Sequence, residues 1–397
     1  MLESLERWMA ARGWRFPPRL VARILVPLAI IGVGEYVFAG RLFGAWTRFA
    51  GDLIGLAAAV WVAVAFRRLR EAMMIVAAVL LCLAGAEAYA LVTLSLGPAF
   101  AHTSGHTAPH PVLGWRPAEP GVFHQTKRET ATGRVVFDTD YTIDRELDRQ
   151  VISTRDGPTI AFFGDSFTFG EGLPDEETLP QIFADLTERQ FNVLNLAAAG
   201  YGPQQFLRPV EVGFFDHLLI RPRAFIFLTA PWHMDRTSCV ADYAMPAPRY
   251  LLADAMPRFS GRCIDRWSWL IGRLFTMPMY HVFLEPALGG PSAAKLELYV
   301  AIMARAGELA RAKYGVPTVV PYIPVPEYLA GSGITDAMIM GRLRAAGLHV
   351  VDAGLDPAAF PGQKLEIPGD GHPTGTANRA RAALLQRVLS DLGLLTN

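Results

Sequence analysis

Three apolar runs crowd into the first hundred residues, and they restrict what the chain can fold into more than any other feature. They are LVARILVPLAIIGVGEYVF (Leu20–Phe38), LIGLAAAVWVAVAF (Leu53–Phe66) and AMMIVAAVLLCLAGAEAYALVTLSL (Ala72–Leu96). A membrane-crossing helix takes about 20 mostly apolar residues. The first and third runs reach that length; the second does so only by recruiting residues before Asp52. Three such runs in series leave no polar face for water, which argues against a buried hairpin in a soluble core. The first run reads as retained rather than cleaved, because Val33-Gly34-Glu35-Tyr36 offers no small-x-small cleavage site.

Arginines in the short connections set the expected orientation. The tail carries Arg7, Arg12, Arg15 and Arg19, and the second connection carries Arg67, Arg68 and Arg70. The first connection has Arg41 and Arg48 beside Asp52. Residues 1–96 are therefore expected to form an anchor of about three transmembrane helices in the cytoplasmic (inner) membrane. Both basic sides then face the cytoplasm, and everything after Leu96 lies on the outer, periplasmic side. Glu35 and Glu87 interrupt apolar runs; both fall toward the outer half, where a carboxylate can reach water. Lysine plus arginine equal aspartate plus glutamate at 37 each, so no bulk basic footprint for nucleic acid is present. Three cysteines exclude a disulfide-dense mini-domain and a Cys-rich zinc module.

Residues 97–157 read as a linker with a short β segment. GPAFAHTSGHTAPHPVLGWRPAEPG is rich in Pro, Gly and small polar residues. His102, His106 and His110 are four apart, but Gly105, Pro109 and Pro111 forbid a regular helix there, so they are solvated histidines and no metal site is expected. GRVVFDTDYTID (Gly133–Asp144) alternates apolar and polar residues and reads as one or two strands. Residues 158–394 then alternate strand and helix, with near-continuous apolar strands such as TIAFFGD and RAFIFLTA. That pattern predicts a parallel sheet covered on both faces, with ligands at the carboxyl ends of its strands.

Two strand-end motifs carry candidate chemistry. Ser166, in Gly164-Asp165-Ser166, stands where the first strand turns into a helix. A serine there caps the helix, or offers a nucleophilic hydroxyl and an N–H for an oxyanion. Before the last helix stands Pro368-Gly369-Asp370-Gly371-His372-Pro373. A base and its orienting carboxylate would share that loop.

FFGDSFTFGEGL together with Asp-Gly-His-Pro resembles the SGNH/GDSL hydrolase superfamily over roughly residues 158–394. The resemblance implies a flavodoxin-like three-layer α/β/α fold and a serine esterase mechanism with no cofactor and no metal. It makes Ser166 the nucleophile, His372 the base and Asp370 its orienter. The oxyanion hole would use the N–H groups of Ser166 and Gly200. Where the superfamily has Gly-x-Asn-Asp, this chain has Thr229-Ala230-Pro231-Trp232-His233-Met234-Asp235-Arg236. His233 is the substitute donor, or a buried histidine paired with Asp235. The two-residue spacing of Asp370 and His372 resembles the polysaccharide O-acetyltransferase branch as much as the secreted esterases.

An insertion at residues 234–290, rich in Pro, Met and aromatics, is either a lid or a lipid-docking element. Outside the cytoplasm its Cys239 and Cys263 could pair, closing a loop worth about 3 kcal/mol in the chain-entropy model. The expectation is thus a membrane-anchored serine hydrolase acting on ester bonds of an acylated small molecule, glycan or lipid, with the membrane but no nucleic acid as partner. The alternatives are an O-acyltransferase modifying extracellular polysaccharide and a catalytically silent scaffold.

Overall fold

The computed structural model describes residues 46–97, 99–103, 106–264 and 277–396. The chain divides into two compact units, Met1–Gly97 with Arg273–Pro286, and Pro98–Gly272 with Ala287–Asn397. The first apolar run, Leu20–Phe38 with Glu35, lies outside the described residues.

In the first unit, α1 (Trp46–Ala65) and α2 (Arg70–Ser95) form a hairpin joined by a turn at Arg67–Leu69. Its packing inverts the water-soluble pattern. Ala58, Ala59, Ala63, Ala77, Ala84 and Ala90 are buried, while Val64, Ile75, Leu81 and Tyr89 are exposed. Small residues let the backbones approach, as they do between helices in lipid. Among the described residues, only the helix over Arg67–Ser95 is long and apolar enough to cross a membrane; the apolar part of α1, Phe49–Ala65, is shorter. Of the two expected spans that fall within the described residues, one is therefore of sufficient length and the other is not, so a multi-pass anchor is not supported. Glu87 is not at a wet helix end. It is fully buried, and its Oε2 accepts the Met279 N–H at 2.9 Å. Phe283 of the same short segment stacks on Tyr89, with ring centroids 5.7 Å apart.

The second unit opens with short strands. β1 (Phe100–His102) pairs with β4 (Gly121–Glu129), which pairs with β5 (Val135–Ile143); β2 (Thr107–His110) pairs with β3 (Gly114–Pro117). The stretch read as linker therefore holds strands. Pro109 fits there because β2 belongs to a two-stranded ladder with free edges.

The main sheet contains β6 (Thr159–Phe163), β7 (Asn192–Asn195), β8 (Ala224–Phe227), β11 (Thr318–Tyr322) and β12 (His349–Asp352), all neighbours parallel, in the order β12-β11-β8-β6-β7. Counting strands within this sheet gives 2-1-3-4-5, the flavodoxin order. Period-two alternation splits its side chains between two cores. Ile160, Phe162, Ala224 and Ile226 face one, with Leu179 and Phe183 of α4 (Leu179–Leu186) and Leu385 and Leu389 of α9 (Gly375–Asp391). Ala161, Phe163, Phe225 and Phe227 face the other, against α5 (Gln204–Val212), α7 (Ala293–Tyr314) and α8 (Asp336–Ala345). A strand buried on both faces needs an apolar residue at every position, which is why these runs read as continuous rather than alternating. The sequence reverses direction between β6 and β8, and the ends of those strands carry α3 (Ser166–Phe169) and α6 (His233–Thr237).

In the insertion, β9 (Pro248–Ala253) and β10 (Met256–Arg262) form a hairpin, and a disulfide joins Cys239 to Cys263 with Cα atoms 5.5 Å apart. Residues 277–286 of the insertion belong to the first unit.

Candidate active site

Ser166 begins a four-residue helix because the chain turns sharply behind it. Gly164 packs so tightly that a Cβ there would lie 2.3 Å from Thr168 Oγ1. Asp165 caps the helix by accepting the Phe167 N–H at 3.0 Å. Being the first helical residue, Ser166 has an N–H with no partner inside the helix. It donates to nothing else among the described residues, and neither does the N–H of Gly200. Gly200 holds φ +79°, and a Cβ on it would meet the rings of Tyr243 and Trp115 at 3.1 and 3.2 Å.

Ser166, Gly200 and His372 line one cavity of about 540 Å³, together with Glu171, Arg236 and Tyr243. His372 arrives on a tight loop closed by the Glu366–Pro373 bridge. Its Nδ1–H donates to Asp370 Oδ1, which leaves Nε2 to take a proton; Nε2 lies 3.5 Å from Glu171 Oε2. Burial opposes a charge on this imidazole. The Asp370 hydrogen bond and the Glu171 carboxylate outweigh it and hold the pKa above the ordinary histidine value.

Asp370 has a second partner. Lys127, from β4, donates to its Oδ2 at 2.6 Å; the two side chains are 13% and 1% exposed. Burial raises the carboxyl's pKa, but bonds from His372 and Lys127 more than reverse this and hold it well below the carboxylate range.

His233 is placed elsewhere. It is buried; Nδ1 accepts the Ala230 N–H at 3.2 Å and meets Thr229 Oγ1 at 2.9 Å. Nε2 faces Asp165 Oδ2 at 3.4 Å. Burial and then Arg236 lower its pKa, so the ring is neutral. It does not line the Ser166 cavity. Nor does it pair with Asp235, whose carboxylate takes Lys295, Tyr328 and the Gly290 N–H instead. Arg236, on the same short helix, reaches the cavity wall. Its Nη1 donates to Asp165 Oδ2 at 2.7 Å and to the Tyr201 carbonyl at 2.6 Å. Burial raises the pKa of Asp165, but Arg236 and His233 drive it far below the usual range.

No family model matches the sequence, and no curated protein matches it. Among solved structures, similarity extends to a protein described as an SGNH hydrolase from Slackia heliotrinireducens, at 14% identity and TM-score 0.32, covering 59% of this chain and 99% of that one. It extends to a lipolytic protein of the G-D-S-L family from Desulfitobacterium hafniense DCB-2, at 14% identity and TM-score 0.34, covering 59% and 100%. It also extends to the psychrotrophic esterase EstA from Pseudoalteromonas sp., at 12% identity and TM-score 0.34, covering 59% and 99%.

Ser166, Gly200 and the Asp370–His372 loop thus come together from three distant stretches. Sequence reasoning missed Lys127, Glu171 and Arg236. Glu171 sat inside the quoted serine motif, and Arg236 closed the quoted third block, so both were within reach. Lys127 is 243 residues from Asp370, and no local pattern announces such a pair. The described residues hold no cluster of three or more metal-ligating side chains.

Proposed function

We propose that this chain is a membrane-anchored serine hydrolase that acts on ester bonds through an acyl-Ser166 intermediate. One observation carries the reading: Ser166 and a carboxylate-held His372 open into the same cavity, with two unengaged N–H groups beside the serine. In the first half-reaction Ser166 Oγ attacks the ester carbonyl while His372 Nε2 takes its proton. The N–H groups of Ser166 and Gly200 receive the oxyanion, and His372 passes the proton to the departing alcohol oxygen. Water then repeats the steps on the acyl-enzyme. A sugar hydroxyl in place of water makes the same site an O-acyltransferase, and the two-residue spacing of Asp370 and His372 suits that reading as much as hydrolysis.

The membrane and the outer-side location belong to this proposal. Large apolar residues outside and alanines inside the α1–α2 hairpin support lipid as its solvent. Arg67, Arg68 and Arg70 at its turn support a cytoplasmic turn. The Cys239–Cys263 bond supports an oxidising compartment for the second unit. An acylated envelope glycan or lipid is the substrate class that such a location supplies.

The full chain in detergent is expected to hydrolyse p-nitrophenyl acetate and to be labelled by a fluorophosphonate at Ser166. Ser166→Ala loses both. Folded wild-type protein that neither turns over the ester nor takes the label would make it a scaffold instead. Adding a sugar acceptor and analysing products separates transfer from hydrolysis.

A further inference from the structure

Next to the Ser166 cavity lies a second one of about 260 Å³. The two share Thr107, Trp115, Glu171 and Ala199 as wall residues, so they adjoin. Glu171, 3.5 Å from His372 Nε2, marks the junction. That is the side from which a leaving or attacking alcohol must receive or give its proton.

The second cavity is built between β4 and the catalytic turns. Alternation along β4 sends Phe123, Gln125 and Lys127 to one face. Phe123 packs on Tyr141 and Phe169, Lys127 reaches Asp370, and Gln125 lines the cavity between them. Gln125 is 8% exposed, yet its amide makes no hydrogen bond among the described residues. An amide aimed into a cavity offers both a donor and an acceptor to whatever enters.

The other walls narrow the chemistry. Trp115 is fixed by its Nε1–H on the Ala199 carbonyl at 3.0 Å and presents a broad apolar surface. His106 stacks on Phe169; burial and the Arg149 charge lower its pKa, so it is a neutral hydrogen-bonding group. Among the described residues no lysine or arginine lines this cavity, and Glu171 is its one carboxylate. A phosphate or carboxylate ligand would meet repulsion and no cation. An alkyl chain would leave the Gln125 amide without a partner. A compact ring with hydroxyls around its edge and C–H groups on its faces satisfies both kinds of wall.

We propose that this cavity is the alcohol subsite and takes a neutral sugar ring, with Gln125 reading its hydroxyls and Trp115 packing against it. The inference rests on the serine acyl-transfer reading above. In the step concerned, the acyl carbon gains a bond to Ser166 Oγ and loses its bond to the sugar oxygen. The serine proton travels through His372 Nε2 to that oxygen.

The test compares two acetate esters on the full chain in detergent: a mono-O-acetylated methyl glucoside and p-nitrophenyl acetate. Gln125→Leu is expected to lower the ratio of kcat/KM for the sugar ester over the aryl ester about tenfold, mainly through KM, with Gln125→Asn in between. Unesterified methyl glucoside is expected to slow fluorophosphonate labelling of wild type, and to slow it less in Gln125→Leu. Because labelling reports a folded site directly, it also shows that the variant has kept its structure. A ratio unchanged in both variants, or an aryl ester turned over while the sugar ester is ignored, overturns the sugar subsite alone. No turnover and no labelling of wild type overturns the acyl-transfer reading beneath it.

Discussion

Replacing Lys127 with methionine isolates what the β4 strand contributes to the base. In the proposed reaction His372 must be neutral to accept the serine proton, so activity is expected to rise with pH through its pKa. That pKa lies above the ordinary 6.5, because Asp370 and Glu171 favour the imidazolium more than burial disfavours it. The charged groups facing the ring are Asp370 on its own loop, Glu171 and Asp165 on the serine turn, and Lys127 behind Asp370. Lys127 opposes the imidazolium, as does Arg236 on the cavity wall beyond Asp165. One carboxylate separates the Lys127 ammonium from the ring. Unit charges on the order of 6 Å apart interact by roughly 3 kcal/mol at an effective dielectric of about 20. Residual screening and adjustment of Asp370 leave roughly half of that, about one pKa unit.

The acid limb of kcat/KM for Lys127→Met should therefore move about one unit toward higher pH. Lys127→Arg, which keeps the charge, should leave it near wild type. Asp370 still has His372 as a partner in the variant, so the stability loss should stay below the 3–5 kcal/mol typical of a stripped buried ion. The assay is the pH profile of p-nitrophenyl acetate hydrolysis, with urea denaturation alongside. A uniform drop in rate with an unmoved acid limb would show that Lys127 only braces the loop. Equal shifts in the Met and Arg variants would refute the electrostatic account.

Three further outcomes follow from the same geometry. Gly200→Ala forces a Cβ against Tyr243 and Trp115 at a left-handed φ; the displaced N–H should cost on the order of a hundredfold in kcat with little change in KM, by the size of single oxyanion-donor losses. Arg236→Met leaves Asp165 buried without its main counter-charge. It should destabilise the protein by about 3–5 kcal/mol in urea, and Arg236→Lys should recover part of the loss. Replacing Cys239 and Cys263 together by serine should lower unfolding free energy by about 3 kcal/mol in the chain-entropy model, while reduced wild type should match the double variant in urea.

What could be read from the sequence was local. The apolar strands, the Gly-Asp-Ser turn and the Asp-Gly-His loop each carry their signal within a few residues, because turn geometry and strand burial are short-range constraints. The order of the sheet was legible only through the flavodoxin-like fold that the resemblance implied. What could not be read was pairing at a distance. His233 occupied the expected motif position, but Asp165, Ala230 and Thr229 engage its nitrogens, and Arg236 stands at the cavity wall. Residues 97–121 looked like linker because Pro and Gly suit irregular chain. They suit short edge strands equally well, and only the partners across the ladder decide between the two. The insertion's composition allowed a lid or a lipid contact, and its 277–286 stretch folding with the apolar helices was not encoded in any motif.

The strands of residues 97–157, expected as a linker with a short β segment, reach all three loops of the candidate site. Tyr141 on β5 accepts the Gly172 N–H at 2.7 Å, which fixes the turn after the serine helix. Trp115 on β3 donates to the Ala199 carbonyl, and its own carbonyl accepts the Tyr201 hydroxyl, which fixes the loop bearing Gly200. Lys127 on β4 holds Asp370, which fixes the loop bearing His372. A parallel sheet ends in loops that its own hydrogen bonds do not reach, so a site at the strand ends needs support from outside the sheet. Here one accessory segment bonds to each loop, with a different kind of side chain each time. Its inward-facing residues also wall the cavity beside the nucleophile. In the proposed reaction, holding the Ser166, Gly200 and His372 loops in register and shaping the space for the alcohol are therefore tasks of the same strands. Changes in that segment should alter catalysis and substrate choice together.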